Sequence, residues 1–100
     1  MDAVREIRLM WDERKAIPFP SEYGGKDVAG ICVTSLDTFA AGCIDTFISN
    51  NGRLDGSRIS VLEQCKSDLE GVVSCLDGTA KNYFNDLLIL VKRVLQLAGQ

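Results

Sequence analysis

The carboxy-terminal segment NDLLILVKRVLQLAGQ, residues 85–100, predicts a helix that is apolar on nearly every face. At helical spacing the apolar rows are Ala80, Phe84, Leu87, Val91, Val94 and Ala98, and then Tyr83, Leu90 and Leu97. Ile89 falls on the remaining side, between Asn85 and Lys92, where a surface helix normally presents polar residues to water. A membrane, a central place in the core or a partner chain would each account for this pattern.

Neither a membrane nor nucleic acid suits the rest of the sequence. The longest uninterrupted apolar run, residues 87–91, has five residues, whereas a helix that crosses a bilayer needs about 20. The amino-terminal stretch MDAVREIRLMWDERKA is charged throughout, so we expect no export signal and a cytoplasmic protein. The net charge of −3 offers no excess of cations for a phosphate backbone. We therefore expect no membrane contact and no nucleic-acid partner.

Helical periodicity and turn residues divide the chain into four helices within one domain, residues 1–100. We predict a first helix over residues 2–15 and a second helix that begins between Ser21 and Asp27 and ends near Asn50. The third covers residues 57–76, and the fourth, with Thr79 as its cap, covers residues 80–97. The short turns NNGRLDG and LDGT favour antiparallel neighbours. The predicted fold is all-α, an up-and-down antiparallel helical bundle of three long helices plus a short N-terminal helix. We expect it to be about 70 to 75% helical, without a sheet.

The residue types exclude several kinds of catalytic site. The chain contains no histidine, which removes Ser/His and Cys/His catalysis and di-iron sites built on Glu-x-x-His pairs. The four cysteines, Cys32, Cys43, Cys65 and Cys75, form no C-x-x-C pair. We interpret them as unbridged, metal-free thiols, most of them buried as small apolar residues. A disulfide or metal cluster is the alternative, with a contact between Cys43 and Cys65 as its best candidate.

The stretch IPFPSEYGGKD, residues 17–27, most resembles a functional loop. Its candidate ligand-binding residues are the aromatic Phe19 and Tyr23 and the flexible pair Gly24 and Gly25, whose amides would suit an anion at a helix start. An apolar plug over one end of the bundle is the plain structural alternative. The carboxylates that would have to converge on a cation or substrate are Asp37, Asp45, Glu63 and Asp68. They lie mostly opposite the apolar rows, which favours a solvent-exposed role.

These patterns favour a non-enzymatic helical interaction or scaffold module that self-associates. We expect three or four helices of one chain to leave part of the last helix uncovered, because each keeps one face in water. The surplus face is centred on Ile89, with Tyr83, Leu90 and Leu97 beside it. The expected partner is a second copy in a homodimer, or another protein, and no cofactor is indicated. The alternative is a small ligand-binding or enzymatic bundle that uses the 17–27 loop and nearby carboxylates.

Overall fold

Four α-helices and one very short hairpin make up the chain in the computed structural model, which describes residues 2–98. The helices are α1 (Ala3–Lys15), α2 (Val33–Ser49), α3 (Gly56–Ser74) and α4 (Gly78–Ala98), and the hairpin pairs β1 (Asp27–Val28) with β2 (Ile31–Cys32). One turn of 3-10 helix, Ser21–Tyr23, precedes the hairpin. The chain is 75% helical, which confirms the all-α bundle of one short and three longer helices.

The last helix, α4, is the central element of the bundle because it packs against α1, α2 and α3. Its buried residues are Ala80, Tyr83, Phe84, Leu87, Leu88, Leu90, Val91 and Val94. All of these except Ala80 belong to one core cluster with Ile7 of α1, Phe47 of α2 and Leu62 of α3. The other helices of the chain thus cover most of the apolar rows of α4 and leave part of the helix exposed, at Ile89. None of the helices within residues 2–98 is long and apolar enough to cross a membrane.

The second helix begins later than the sequence predicts, and a hairpin takes the place of its first turns. The strands pair with Asp27 opposite Cys32 and Val28 opposite Ile31, which leaves Ala29 and Gly30 as a two-residue loop. Both loop residues have positive φ, 54° for Ala29 and 78° for Gly30, as a type I′ turn requires. Helix α2 then starts at Val33. The prediction of a start between Ser21 and Asp27, and of a chain without any sheet, is wrong here.

The turn after α2 is the helix C-cap that the sequence NNG predicts. Asn51 has a φ of 59°, and its amide donates to the carbonyl of Ile48 while the amide of Gly52 donates to that of Phe47. These two bonds form a Schellman motif, which satisfies the last carbonyls of the helix. The chain can then reverse direction over a few residues, so α3 packs beside α2.

Two smaller expectations also need correction. Helix α4 begins at Gly78, one residue before the predicted cap Thr79, and α3 ends at Ser74 rather than at residue 76. Helical spacing puts Phe39 on the same row as Leu36 and Cys43, yet its side chain is 59% exposed. The row is therefore wider than the surface that α3 and α4 cover.

Candidate functional site

Tyr83 and Leu90, two of the four residues predicted for a partner interface, are buried within the chain at 7% and 2% exposure. Helix α1 contributes much of this cover. The guanidinium of Arg14 lies 4.2 Å from the centre of the Tyr83 ring, and its Nη2 donates to the Tyr83 carbonyl over 3.4 Å. Leu97 is partly buried against the core. Ile89 alone of the four is exposed, at 44%.

A partly buried polar cluster holds α1, α2 and α4 together at this point. The hydroxyl of Tyr83 donates to Asp37 over 2.9 Å, and a nitrogen of Arg14 lies 3.6 Å from the same carboxylate oxygen. Burial raises the pKa of the Tyr83 phenol, so it stays a hydrogen-bond donor at neutral pH. Nearby, the indole nitrogen of Trp11 donates to Asp45 over 2.7 Å. These contacts fix the position of α1 on α2 and α4.

An apolar groove runs along the surface between α1 and α4, and Ile89 lies within it. The groove has a volume of about 230 Å³ and is lined by Met10, Glu13, Arg14, Ile17, Asp86, Ile89 and Leu90. Ile17, at 48% exposure, and Ile89, at 44%, are its exposed branched side chains. We call this surface the α1/α4 groove. Ile17, which follows α1, and Ile89 of α4 are thus two large apolar side chains that are exposed to water along the same groove.

The predicted loop 17–27 forms a larger cavity next to the α1/α4 groove. This loop cavity measures about 590 Å³, and its walls include Arg14, Pro18, Phe19, Asn82, Tyr83 and Asp86. The ring of Phe19 packs edge-on against Tyr83 and Phe84, at 5.6 and 5.9 Å between centroids. Arg14 is only 7% exposed, and its Nε has no hydrogen-bond partner among the described residues. The cavity therefore combines aromatic walls with a nearly buried cation.

The remaining residues of the predicted loop site lie apart from this cavity. Tyr23 is half-buried at the edge of the core. Gly24 and Gly25 are exposed, and they lead into the hairpin rather than into a helix. The amide of Gly25 already donates to the Thr34 hydroxyl over 2.9 Å. The structure thus brings Phe19 into the cavity and leaves the other three outside it.

The predicted carboxylates do not converge. Asp37 faces Arg14 and Tyr83, and Asp45 accepts from Trp11. Asp68 accepts a hydrogen bond from Gln64. Within the described part of the chain, no three His, Cys, Asp or Glu side chains gather closely enough to hold a metal ion.

A second apolar groove lies between α2 and α3. This α2/α3 groove measures about 310 Å³, and the exposed Phe39 and Val61 line it together with Cys32 and Cys65. All four cysteines carry free thiols. Burial raises the pKa of Cys65 to about 11 and raises that of Cys43 as well. Hydrogen bonds from Ser35 lower the pKa of Cys32, which stands at the N-cap of α2.

Sequence reasoning missed two residues of the α1/α4 groove, Arg14 and Ile17. Arg14 follows Trp11 by three positions and so belongs to the buried row of α1, although a charged side chain at that position is normally assigned to water. Ile17 stands just before a proline, outside any helical row. No protein-family model, curated protein or solved structure matches the chain, so the surface has to be interpreted from its own geometry.

Proposed function

We propose that this protein is a non-enzymatic helical interaction module that self-associates through the α1/α4 groove. The observation that carries the proposal is that Ile89 and Ile17 are both exposed and both line one groove. Burying an exposed isoleucine contributes roughly 1.5 to 3 kcal/mol, and a symmetric interface would bury each of these residues twice. Single exposed apolar residues are common on protein surfaces, but two that line the same groove favour an interface.

The absence of histidine from the sequence and the engagement of the carboxylates support a role without catalysis. Asp37 and Asp45 are held by Arg14, Tyr83 and Trp11 in contacts that fix the helices. A general acid or base needs a free proton-transfer atom close to a substrate position. We place the module in the cytoplasm, where thiols such as Cys43 and Cys65 stay reduced.

The test is the solution mass of the protein by light scattering after gel filtration, at tens of micromolar. We expect a dimer for the wild type and a monomer with an unchanged helical circular dichroism spectrum for Ile89→Glu. Val61→Glu is the matched control, because Val61 is 41% exposed and lies in the α2/α3 groove. A monomeric wild type would refute self-association. If the Ile89→Glu variant is still a dimer and the Val61→Glu variant is a monomer, the interface lies at the α2/α3 groove instead.

The loop cavity supports a second candidate function, the binding of a small carboxylate with an aromatic or aliphatic body. Arg14 would pair with the carboxylate, and Phe19 and Tyr83 would contact the body. Native mass spectrometry of the purified protein distinguishes the two candidates. A bound small molecule at one per chain that is lost with Phe19→Ala would favour ligand binding. A doubled protein mass without a small molecule favours the interaction module.

A further inference from the structure

The loop cavity brings charges of both signs together beside its aromatic walls. Its cation is Arg14, and its two carboxylates are those of Glu22 and Asp86. Neither carboxylate forms an ion pair within residues 2–98. Arg14 and Asp86 also line the adjoining α1/α4 groove, so the two opposite charges border the same space. Such a site favours a ligand that carries both signs of charge itself.

Arg14 has hydrogen-bonding capacity that its own chain leaves unused. Its Nη2 donates to the Tyr83 carbonyl over 3.4 Å and lies 3.6 Å from an Asp37 oxygen. Both distances exceed the roughly 2.7 to 3.2 Å of an ordinary N–H···O bond. Its Nε has no partner among the described residues, and water reaches little of a side chain that is 7% exposed. A carboxylate bound beside Arg14 would supply the strong acceptor that the guanidinium lacks.

The other charges of the cavity disfavour a ligand that has a carboxylate alone. Asp37 lies beside Arg14, and Glu22 and Asp86 line the same cavity, so three carboxylates already accompany one cation. A simple carboxylate would add a fourth negative group, and like charges at close range oppose binding. A simple amine would suit Asp86 and Glu22 but would leave the donors of Arg14 without an acceptor. A ligand that bears both groups meets both requirements and adds no net charge.

We propose, as an extension of the second candidate function and resting on it, that the loop cavity binds a free α-amino acid with an apolar side chain. Its carboxylate and its ammonium are attached to one carbon atom, and both are ionised at neutral pH. The carboxylate accepts hydrogen bonds from Arg14, and the ammonium pairs with Asp86, with Glu22 as a second anion. Because Arg14 is buried whereas Asp86 and Glu22 are exposed, the carboxylate lies at the inner side of the cavity and the ammonium at its open side.

The walls of the cavity select the side chain of the amino acid. Phe19 packs edge-on against Tyr83 at 5.6 Å between centroids, and Pro18 and Pro20 extend this apolar wall. Ile17 lines both the loop cavity and the α1/α4 groove, so a long side chain finds further apolar surface there. The volume of about 590 Å³ lies within the range of small-molecule sites, roughly 300 to 1,000 Å³. An aromatic or a large aliphatic side chain fits these walls.

Three probes with the same phenyl ring test the two charges separately. They are phenylalanine, 3-phenylpropanoate, which lacks the ammonium, and 2-phenylethylamine, which lacks the carboxylate. In titrations of ¹⁵N-labelled protein followed by NMR, phenylalanine should bind most tightly and shift the amide signals of Phe19, Asn82 and Tyr83. We expect 3-phenylpropanoate to bind about fivefold more weakly, because the exposed pair with Asp86 is lost. We expect 2-phenylethylamine to bind about tenfold more weakly, because Arg14 loses a charged acceptor.

One substitution tests the position of the ammonium. Asp86→Asn should weaken phenylalanine binding about fivefold and should not weaken the binding of 3-phenylpropanoate, so the preference between the two probes disappears. Asp68→Asn, in the α2/α3 groove, is the matched control and should bind all three probes as the wild type does. Arg14 is left in place because it joins three helices. The comparison of phenylalanine with 2-phenylethylamine measures its role instead.

The possible outcomes separate this inference from the function on which it rests. If either single-charge probe binds the wild type as tightly as phenylalanine does, the amino-acid class is wrong and ligand binding in the loop cavity stands. If Asp86→Asn keeps the full preference for phenylalanine, the ammonium does not pair with Asp86 and the proposed arrangement is overturned. If none of the three probes shifts the signals of residues at the loop cavity, this inference and the second candidate function both fail. Self-association is measured independently by the solution mass.

Discussion

The phenol of Tyr83 on α4 donates a 2.9 Å hydrogen bond to the carboxylate of Asp37 on α2. The same carboxylate lies 3.6 Å from a guanidinium nitrogen of Arg14 on α1. Three helices therefore meet at one acidic side chain. Arg14 also stacks on the ring of Tyr83. Together these contacts explain why α1 of the same chain covers the face of α4 around Tyr83, for which the sequence predicts a partner chain.

Removing the hydroxyl group of Tyr83 should destabilise the fold without changing its shape. We expect Tyr83→Phe to lower the free energy of unfolding by about 1 to 2 kcal/mol, because Asp37 loses its neutral donor in a partly buried place. Urea denaturation followed by circular dichroism measures the change. Tyr23→Phe, at a half-buried tyrosine on the edge of the core, is the control and should change stability by less than about 0.5 kcal/mol. Equal effects of the two substitutions would argue against this account of the cluster.

The turn after α2 makes a second prediction, because it combines an unusual backbone with close packing. Gly52 has a φ of 95°, and a Cβ at this position would stand 2.7 Å from Cγ2 of Val4 on α1. Gly52→Ala should therefore lower the free energy of unfolding by about 2 to 3 kcal/mol, from backbone strain and from displacement of Val4.

Gly30→Ala separates the two causes. Gly30 also has a positive φ, 78°, but an added Cβ there meets no atom within 4 Å. We expect this control to lose only about 1 kcal/mol, the cost of the left-handed backbone. If both alanine variants unfold at the same urea concentration, the contact with Val4 does not contribute to the loss of stability.

The helices were predictable because their signals are local. Apolar rows at helical spacing and the NNG and LDG turns lie within a few residues of the features they specify. The hairpin was not predictable in this way. Its two-residue loop contains Ala29 in the left-handed region, which alanine rarely occupies, so the sequence VAGI carries none of the usual Asn-Gly signal.

The candidate interface was predictable only at its centre. The exposure of Ile89 follows from its place between Asn85 and Lys92 on one helix. The burial of Tyr83 and Leu90 depends on where α1 packs after the proline-containing loop, and this is a contact between residues far apart in sequence. The position of Arg14 is non-local in the same sense, because its charge is accommodated only where Tyr83 and Asp37 meet it.

Alkaline pH should destabilise the fold through the buried thiols. Burial raises the pKa of Cys65 from an ordinary 9.0 to about 11. Between these values the unfolded chain releases the proton and the folded chain keeps it, so the folded state binds more protons and stability falls as pH rises. The loss reaches about 2 to 3 kcal/mol at pH 11.

The measurement is urea denaturation at a series of pH values above 8. Cys65→Ala should flatten the alkaline loss, although not abolish it, because the pKa values of Cys43 and Tyr83 are raised in the same direction. If the pH dependence of stability is unchanged in this variant, the Cys65 thiol has the same pKa in the folded and the unfolded state. Cys75→Ala, at an exposed cysteine, is the control and should retain the full dependence.

The hairpin loop offers a substitution that should stabilise the protein. Ala29 has a φ of 54° and Gly30 a φ of 78°, the backbone of a type I′ turn, for which Asn-Gly is the preferred pair. Asparagine tolerates the left-handed region better than alanine does. Ala29→Asn should therefore raise the free energy of unfolding by about 0.5 to 1 kcal/mol, seen as a higher urea midpoint at constant slope. Because Gly30→Ala at the next position should lower it, the two adjacent substitutions have opposite expected signs. A loss of stability with Ala29→Asn would mean that the loop does not adopt this turn in solution.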